Sequence, residues 1–153
     1  GFMLFPRKFL ESIQRAKYTT DIATSGFLQK GVAYYLQKYG WQTHSRIMRQ
    51  YGKEQYHMAV SAAKKHLQQK ASFFLPEGGI SLWVTLPEPL KAEELCQEAL
   101  KKGVIVAPAS QYYIGECEKE AIRICFCNVT QMQMERGMKA IGECIDKLLK
   151  NSP

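Results

Sequence analysis

In the segment Ala121-Ile122-Arg123-Ile124-Cys125-Phe126, apolar side chains recur at every second residue, which assigns Ile122, Ile124 and Phe126 to one face of a short strand. Arg123 falls on the opposite, less apolar face, together with Cys125 and Cys127. A planar, permanently charged guanidinium fixed on a strand can grip a carboxylate through two parallel hydrogen bonds. The same residue type also serves as a surface or salt-bridging arginine, and composition does not choose between the two.

The other reactive residue types form no comparable pattern. His44, His57 and His66 lie in or beside one long predicted helix, and no Asp or Cys adjacent in sequence completes a metal ligand set. They read as solvated or locally bonded histidines. Cys96, Cys117, Cys125, Cys127 and Cys144 make an odd set without Cys-x-x-Cys spacing, which supports neither a disulfide framework nor a zinc site. Gly78-Gly79 can allow close backbone approach to a ligand, or simply form a turn. No lysine has a distinctive setting for imine chemistry. The chain thus offers a carboxylate-binding candidate at Arg123 but neither a nucleophile nor a proton shuttle, so catalysis by these residues alone is not expected.

The elements that position Arg123 follow from periodicity. Residues 1–5 read as a strand, and Pro6 starts a helix over 6–16 with Phe9, Leu10 and Ile13 on its apolar side. The polar stretch 17–25 reads as a loop. Ser25 or Thr24 caps a helix over 26–39, whose Leu28, Val32, Tyr35 and Leu36 share a face, and Gly40 stops it as a left-handed residue. A long helix over 43–69 follows, with Gly52 in its middle. Strands at 71–75 and 80–86 flank the turn Pro76-Glu77-Gly78-Gly79. A helix over 92–102 ends at Gly103, a strand occupies 104–107, and a loop with Tyr112 and Tyr113 leads to the arginine strand. Thr130 and Gln133 form the capping box of a last helix over 131–149. Residues 71–150 therefore form a small α+β lobe of three or four strands with helices on one side.

The 153 residues, 46% hydrophobic and 23% charged, suit a folded chain rather than a disordered one. A start at Gly1-Phe2-Met3 with strand-like residues suggests a truncated chain. The apolar runs are too short to span a membrane and no signal peptide is apparent, so a cytoplasmic protein without membrane partners is expected. The net charge of +7 permits nucleic-acid encounter. Its cluster, from Lys38 through Arg46, Arg49 and Lys53 to Lys70, lies mainly on predicted helix and reads as a solvated face.

Three segments in order carry a resemblance: Pro76-Glu77-Gly78-Gly79-Ile80-Ser81-Leu82-Trp83-Val84, Gly103-Val104-Ile105-Val106-Ala107-Pro108-Ala109-Ser110, and Ile122-Arg123-Ile124-Cys125-Phe126. Together they resemble the carboxy-terminal part of fold-type I pyridoxal-phosphate enzymes. The similarity is nearest to the group shared by aminoadipate-type aminotransferases and the MocR branch of GntR-like transcription regulators, and it spans essentially the whole chain. It implies an α+β small carboxy-terminal domain with an antiparallel-rich sheet, preceded by helices of a large domain. Residues 1–50 would be the trailing part of that large domain, and 51–153 the linking helix and small domain.

The resemblance implies that Arg123 binds the α-carboxylate of an amino-acid substrate or effector, and that Gly79 lies near the same pocket. Pro108-Ala109-Ser110-Gln111-Tyr112 departs from the family's Pro-Gly-Ser before an aromatic. Gly1-Phe2 resembles the end of the segment that follows the cofactor lysine. That lysine, the aspartate on the pyridine nitrogen and most of the phosphate cup would then precede residue 1, leaving this chain unable to hold pyridoxal phosphate covalently. Residues 18–27 resemble the segment that reaches toward the partner subunit's active site in the family's homodimers, with Thr24 or Ser25 as candidate contacts.

Two functions follow from the resemblance. The favoured one is a MocR-type regulator that senses the cofactor or an amino-acid-like effector and binds DNA through an amino-terminal domain outside this chain. The alternative is an aminotransferase moving an amino group from an amino acid to a 2-oxo acid. A third reading keeps the domain for dimerisation or packing, with no ligand at Arg123.

Overall fold

A computed structural model describes residues 3–116 and 118–151. The expectations for Gly1, Phe2 and Cys117 lie outside the described residues. The chain divides into two compact units, Gly1–Arg46 and Ile47–Pro153.

The first unit is helical. Residues 3–5 are not a strand; Pro6 instead accepts a bond from the Phe9 amide at 3.0 Å and opens a 3-10 turn, Arg7–Phe9, that leads into α1, Leu10–Asp21. α1 runs through the start of the stretch expected to be a loop. Its hydroxyls turn back onto the helix: Thr19 and Thr20 both donate to the Ala16 carbonyl, at 2.9 and 2.8 Å. Lys17 meets Asp21 one turn on. Ile22, at φ 53°, ends the helix.

Ser25 accepts from the Leu28 amide at 3.4 Å and caps α2, Gly26–Lys38. Thr24 is occupied by Lys17 and Asp21 instead. Gly40 is not left-handed, contrary to the expectation. With only two residues between helices it starts the next one, its carbonyl accepting from Thr43 at 2.9 Å and His44 at 3.3 Å. Neither α1 nor α2 buries a residue, and Phe27, Leu28, Val32 and Leu36 are all exposed.

The unit boundary falls within α3, Trp41–Leu67, a continuous helix through Gly52. In the second unit β1 (Ser72–Phe74), β2 (Ser81–Thr85), β3 (Ala107–Pro108) and β4 (Ala121–Cys125) form one antiparallel sheet in the order β1-β2-β4-β3. α4 (Ala92–Lys101) and α5 (Gln131–Asn151) complete it. Leu82 and Val84 of β2 and Ile122 and Ile124 of β4 form one buried cluster with Ala59, Ala63 and Leu67 of α3, Leu95 of α4, and Met138, Ile141 and Ile145 of α5. Three helices thus cover one face of the sheet, as the α+β reading expects.

Local signals fix the helix ends. Gly103, at φ 75°, ends α4, while the Val104 amide donates back to Ala99 at 3.0 Å. Glu120 covers the other end of α4: its carboxylate accepts from the Ala92 amide at 2.9 Å and from Lys91 at 3.1 Å. The amide bond and Lys91 hold its carboxyl below the usual range. At α5, the Gln133 amide donates to Thr130 Oγ1 at 3.2 Å and the Thr130 amide donates to Gln133 Oε1 at 2.8 Å, the reciprocal pair its spacing predicts.

Two expectations need correction. Of the predicted strand over 104–107 only Ala107 is paired, and Pro108, expected to close the strand, pairs beside it, because Val104 is drawn back onto α4 before the chain reaches the sheet. β4 also stops at Cys125, so Cys127 leaves the strand's alternation and packs against the core while Cys125 stays exposed. Among the described residues no cluster of His, Cys, Asp or Glu could hold a metal ion, and no helix is long and apolar enough to cross a membrane.

Candidate functional site

Arg123 stands in the middle of β4, on the face away from the three helices. Its cross-strand partners are Trp83 of β2 and Ala107 of β3, and Trp83 in turn faces Phe74 of β1. A row Phe74, Trp83, Arg123, Ala107 therefore crosses all four strands. Directly opposed residues share a face, so the burial of Ile122 and Ile124 forces Arg123 outward. Arg123 as a whole residue is half-buried.

Its hydrogen-bond partner is a tyrosine. Arg123 Nη1 donates to the Tyr112 phenol oxygen at 2.9 Å, and Cζ lies 5.2 Å from the centre of the Tyr112 ring. This distance is within the range of attraction between a cation and an aromatic face. Tyr112 ends a 3-10 turn, Ala109–Tyr112, that follows β3 and brings the ring back beside β4. The Trp83 ring stands 6.2 Å from the rings of both Tyr112 and Tyr113, edge-on to the former. Among the described residues no carboxylate pairs with Arg123, although Lys65, Lys70, Lys91, Lys101, Lys102 and Lys147 all have one. Beyond the bond to Tyr112, the guanidinium thus retains N–H donors with no carboxylate partner among the described residues, and such donors are of the kind that could grip a carboxylate.

Gly79 lies in the bend before β2, four residues ahead of Trp83, the residue opposite Arg123. Its φ of 90° is a conformation that side-chain-bearing residues avoid, whereas a Cβ there would meet nothing within 4 Å. The glycine is set by the turn, not by a tight contact. The histidines are locally engaged: His66 Nε2 meets Glu135 at 2.9 Å, His44 stands edge-on to Tyr35, and His57 to Tyr56. A groove of about 400 Å³ opens elsewhere, lined by Val104, Val106, Ile124, Met134 and Ile141 among others, and includes neither Arg123 nor Gly79.

Sequence reasoning did not bring Tyr112 and Trp83 to this site. The available signal was the pairing of two antiparallel strands, which sets Trp83 opposite Arg123 once the register is known. Tyr112 depends on the 3-10 turn, and no residue spacing announces it.

A family model described as aminotransferase class I and II matches residues 7–141. The HTH-type transcriptional regulator YisV of Bacillus subtilis is 28% identical over 97% of this chain and 30% of its own length. Aromatic-amino-acid aminotransferase 1 of Thermococcus litoralis is 23% identical over 98% of this chain and 36% of its own length. Among solved structures, LysN, the alpha-aminoadipate aminotransferase of Thermus thermophilus, superposes with a TM-score of 0.81 at 21% identity, covering 97% of this chain and 38% of that one. The chain spans about a third of the length of the curated relatives it matches.

Proposed function

This chain belongs to the class I and II aminotransferase family, and on that premise we propose that it is the small carboxy-terminal domain of a pyridoxal-phosphate-dependent aminotransferase, with Arg123 receiving the carboxylate of the amino-acid substrate. The observation that carries this reading is an outward-facing guanidinium flanked by Trp83 and Tyr112 and without an internal carboxylate partner. Two charge-assisted bonds from its fork would fix the ligand's orientation and with it the direction of the α-hydrogen. Gly79 would shape the turn at the pocket's border.

The described residues fit the carboxylate-binding side of such a site. Lys91 and Lys102 donate to Glu120 and Glu143, and these bonds raise both amines, whereas an amine that attacks a carbonyl must be unprotonated. In this reading covalent attachment of the cofactor falls to a lysine outside these residues, as the resemblance to the family implies. When bound, pyridoxal phosphate supplies the electron sink for chemistry at the α-carbon. In this reading the parent protein acts as a homodimer.

A second reading, a transcription regulator of the MocR type with an amino-acid-like effector on Arg123 and DNA on a separate amino-terminal domain, draws support from the similarity to YisV over nearly the whole chain. One experiment separates the two. In the full-length protein, Arg123→Ala is expected to lower kcat/KM for amino transfer to a 2-oxo acid by at least about 100-fold, the loss of two charge-assisted bonds. If the wild-type protein transfers no amino group but binds DNA in an amino-acid-dependent way that Arg123→Ala abolishes, the regulator reading holds. Transfer or DNA response unchanged by the substitution refutes the carboxylate role in both.

A further inference from the structure

Resting on the carboxylate reading of Arg123, we propose that Tyr112 is the second carboxylate-binding residue of the site and decides how strongly it prefers an acid to a neutral ligand. The phenol oxygen accepts from Arg123 Nη1 at 2.9 Å. A tyrosine hydroxyl has one hydrogen to donate besides its accepting lone pairs, and among the described residues that hydrogen has no acceptor. The hydroxyl therefore keeps a free donor beside the guanidinium's own N–H groups. A ligand carboxylate on Arg123 would place one oxygen within reach of both, and a hydrogen bond to a charged acceptor is among the stronger ones available.

The ring is held so that the hydroxyl stays in position. Trp83 packs edge-on against it at 6.2 Å, and the ring itself lies 5.2 Å from Arg123 Cζ. Those contacts belong to the aromatic body, so Tyr112→Phe removes the hydroxyl and leaves the packing. The anchoring row is built by strand register, whereas the hydroxyl arrives on the turn Ala109–Tyr112. The two donors thus come from independent parts of the chain and converge on one anion.

The test uses the full-length protein as wild type, Tyr112→Phe and Arg123→Ala, titrated calorimetrically with isocaproate, hydrocinnamate and adipate, and with the primary amide of each. These acids are the amine-free counterparts of leucine, phenylalanine and aminoadipate, so binding is read without reaction. Tyr112→Phe is expected to weaken the acid that binds best by roughly 10- to 100-fold and to leave its amide at the wild-type affinity. Equal weakening of acid and amide would mean that the hydroxyl is merely structural, and would overturn the proposal. An acid affinity untouched by Tyr112→Phe but lost in Arg123→Ala would overturn the role of Tyr112 and keep that of Arg123. A wild-type protein that prefers none of the acids to its amide would overturn the carboxylate reading, and this inference with it.

Discussion

Replacing Gly142 with alanine would put a methyl carbon 2.7 Å from the carbonyl oxygen of His66 and 3.4 Å from Lys70 Nζ. Lys70 is the flexible end of a side chain and can move. The His66 carbonyl belongs to the backbone of α3 and cannot move alone, so α3 and α5 must separate. Overpacking of this kind costs about 1–3 kcal/mol, and replacing a mid-helix glycine by alanine returns about 1 kcal/mol. The net expectation runs from near balance to a loss of about 2 kcal/mol. Gly52→Ala in α3 supplies the internal comparison, because a Cβ there meets nothing within 4 Å and only the helix-propensity gain of about 1 kcal/mol remains. Urea unfolding followed by far-UV circular dichroism should therefore move the two midpoints apart, Gly52→Ala above wild type and Gly142→Ala below Gly52→Ala by about the overpacking cost. Equal gains in both variants would refute the close approach of α3 and α5 at this glycine.

Glu98 on α4 bonds Lys101 at 2.5 Å and Lys147 of α5 at 2.6 Å, and these bonds, Lys101 first, bring its carboxyl down from 4.5 to about 2. A carboxyl lowered by folding contributes stability that is complete above pH 4.5 and lost as the pH falls toward 2. Glu98→Gln should flatten the acid side of the stability profile in that window, and an unchanged slope would discount the clasp between α4 and α5. Thr130→Ala removes the hydroxyl that accepts from the Gln133 amide and should destabilise the protein by about 1 kcal/mol in the same urea assay. Loss of the cap should not alter the affinity of Arg123 for acids in the calorimetric titration, since the capping box lies beyond the strand that carries it.

Features encoded within a few residues were legible from the sequence. The capping box at Thr130 and Gln133, the helix stop at Gly103 and the outward Arg123 each follow from neighbours within one turn or one pleat. The misread stretches depend on partners that spacing does not reveal. Residues 17–21 look like a loop by composition, yet Thr19 and Thr20 satisfy their hydroxyls on Ala16 and let the helix continue. Val104 and Val106 look like strand, but Val104 is tied to Ala99 and the pairing waits until Ala107. Tyr112 reaches Arg123 only after β3 and the turn that follows it have been placed, so the second donor of the proposed site was invisible where the first was plain.

The position of Arg123 is a matter of parity. Insert or remove one residue between Ala121 and Arg123 and every later side chain of β4 changes sides. The guanidinium would then be driven among Leu82, Val84 and the helices, with Ile124 turned outward in its place. No nearby side chain could compensate, because the alternation that exposes the arginine is the same one that fills the core. Lengthening the connections at Gly78-Gly79 or after Cys125 leaves that parity intact. Length changes are therefore tolerable in the turns and intolerable within the strand, where a single insertion would displace the arginine and the core residues together.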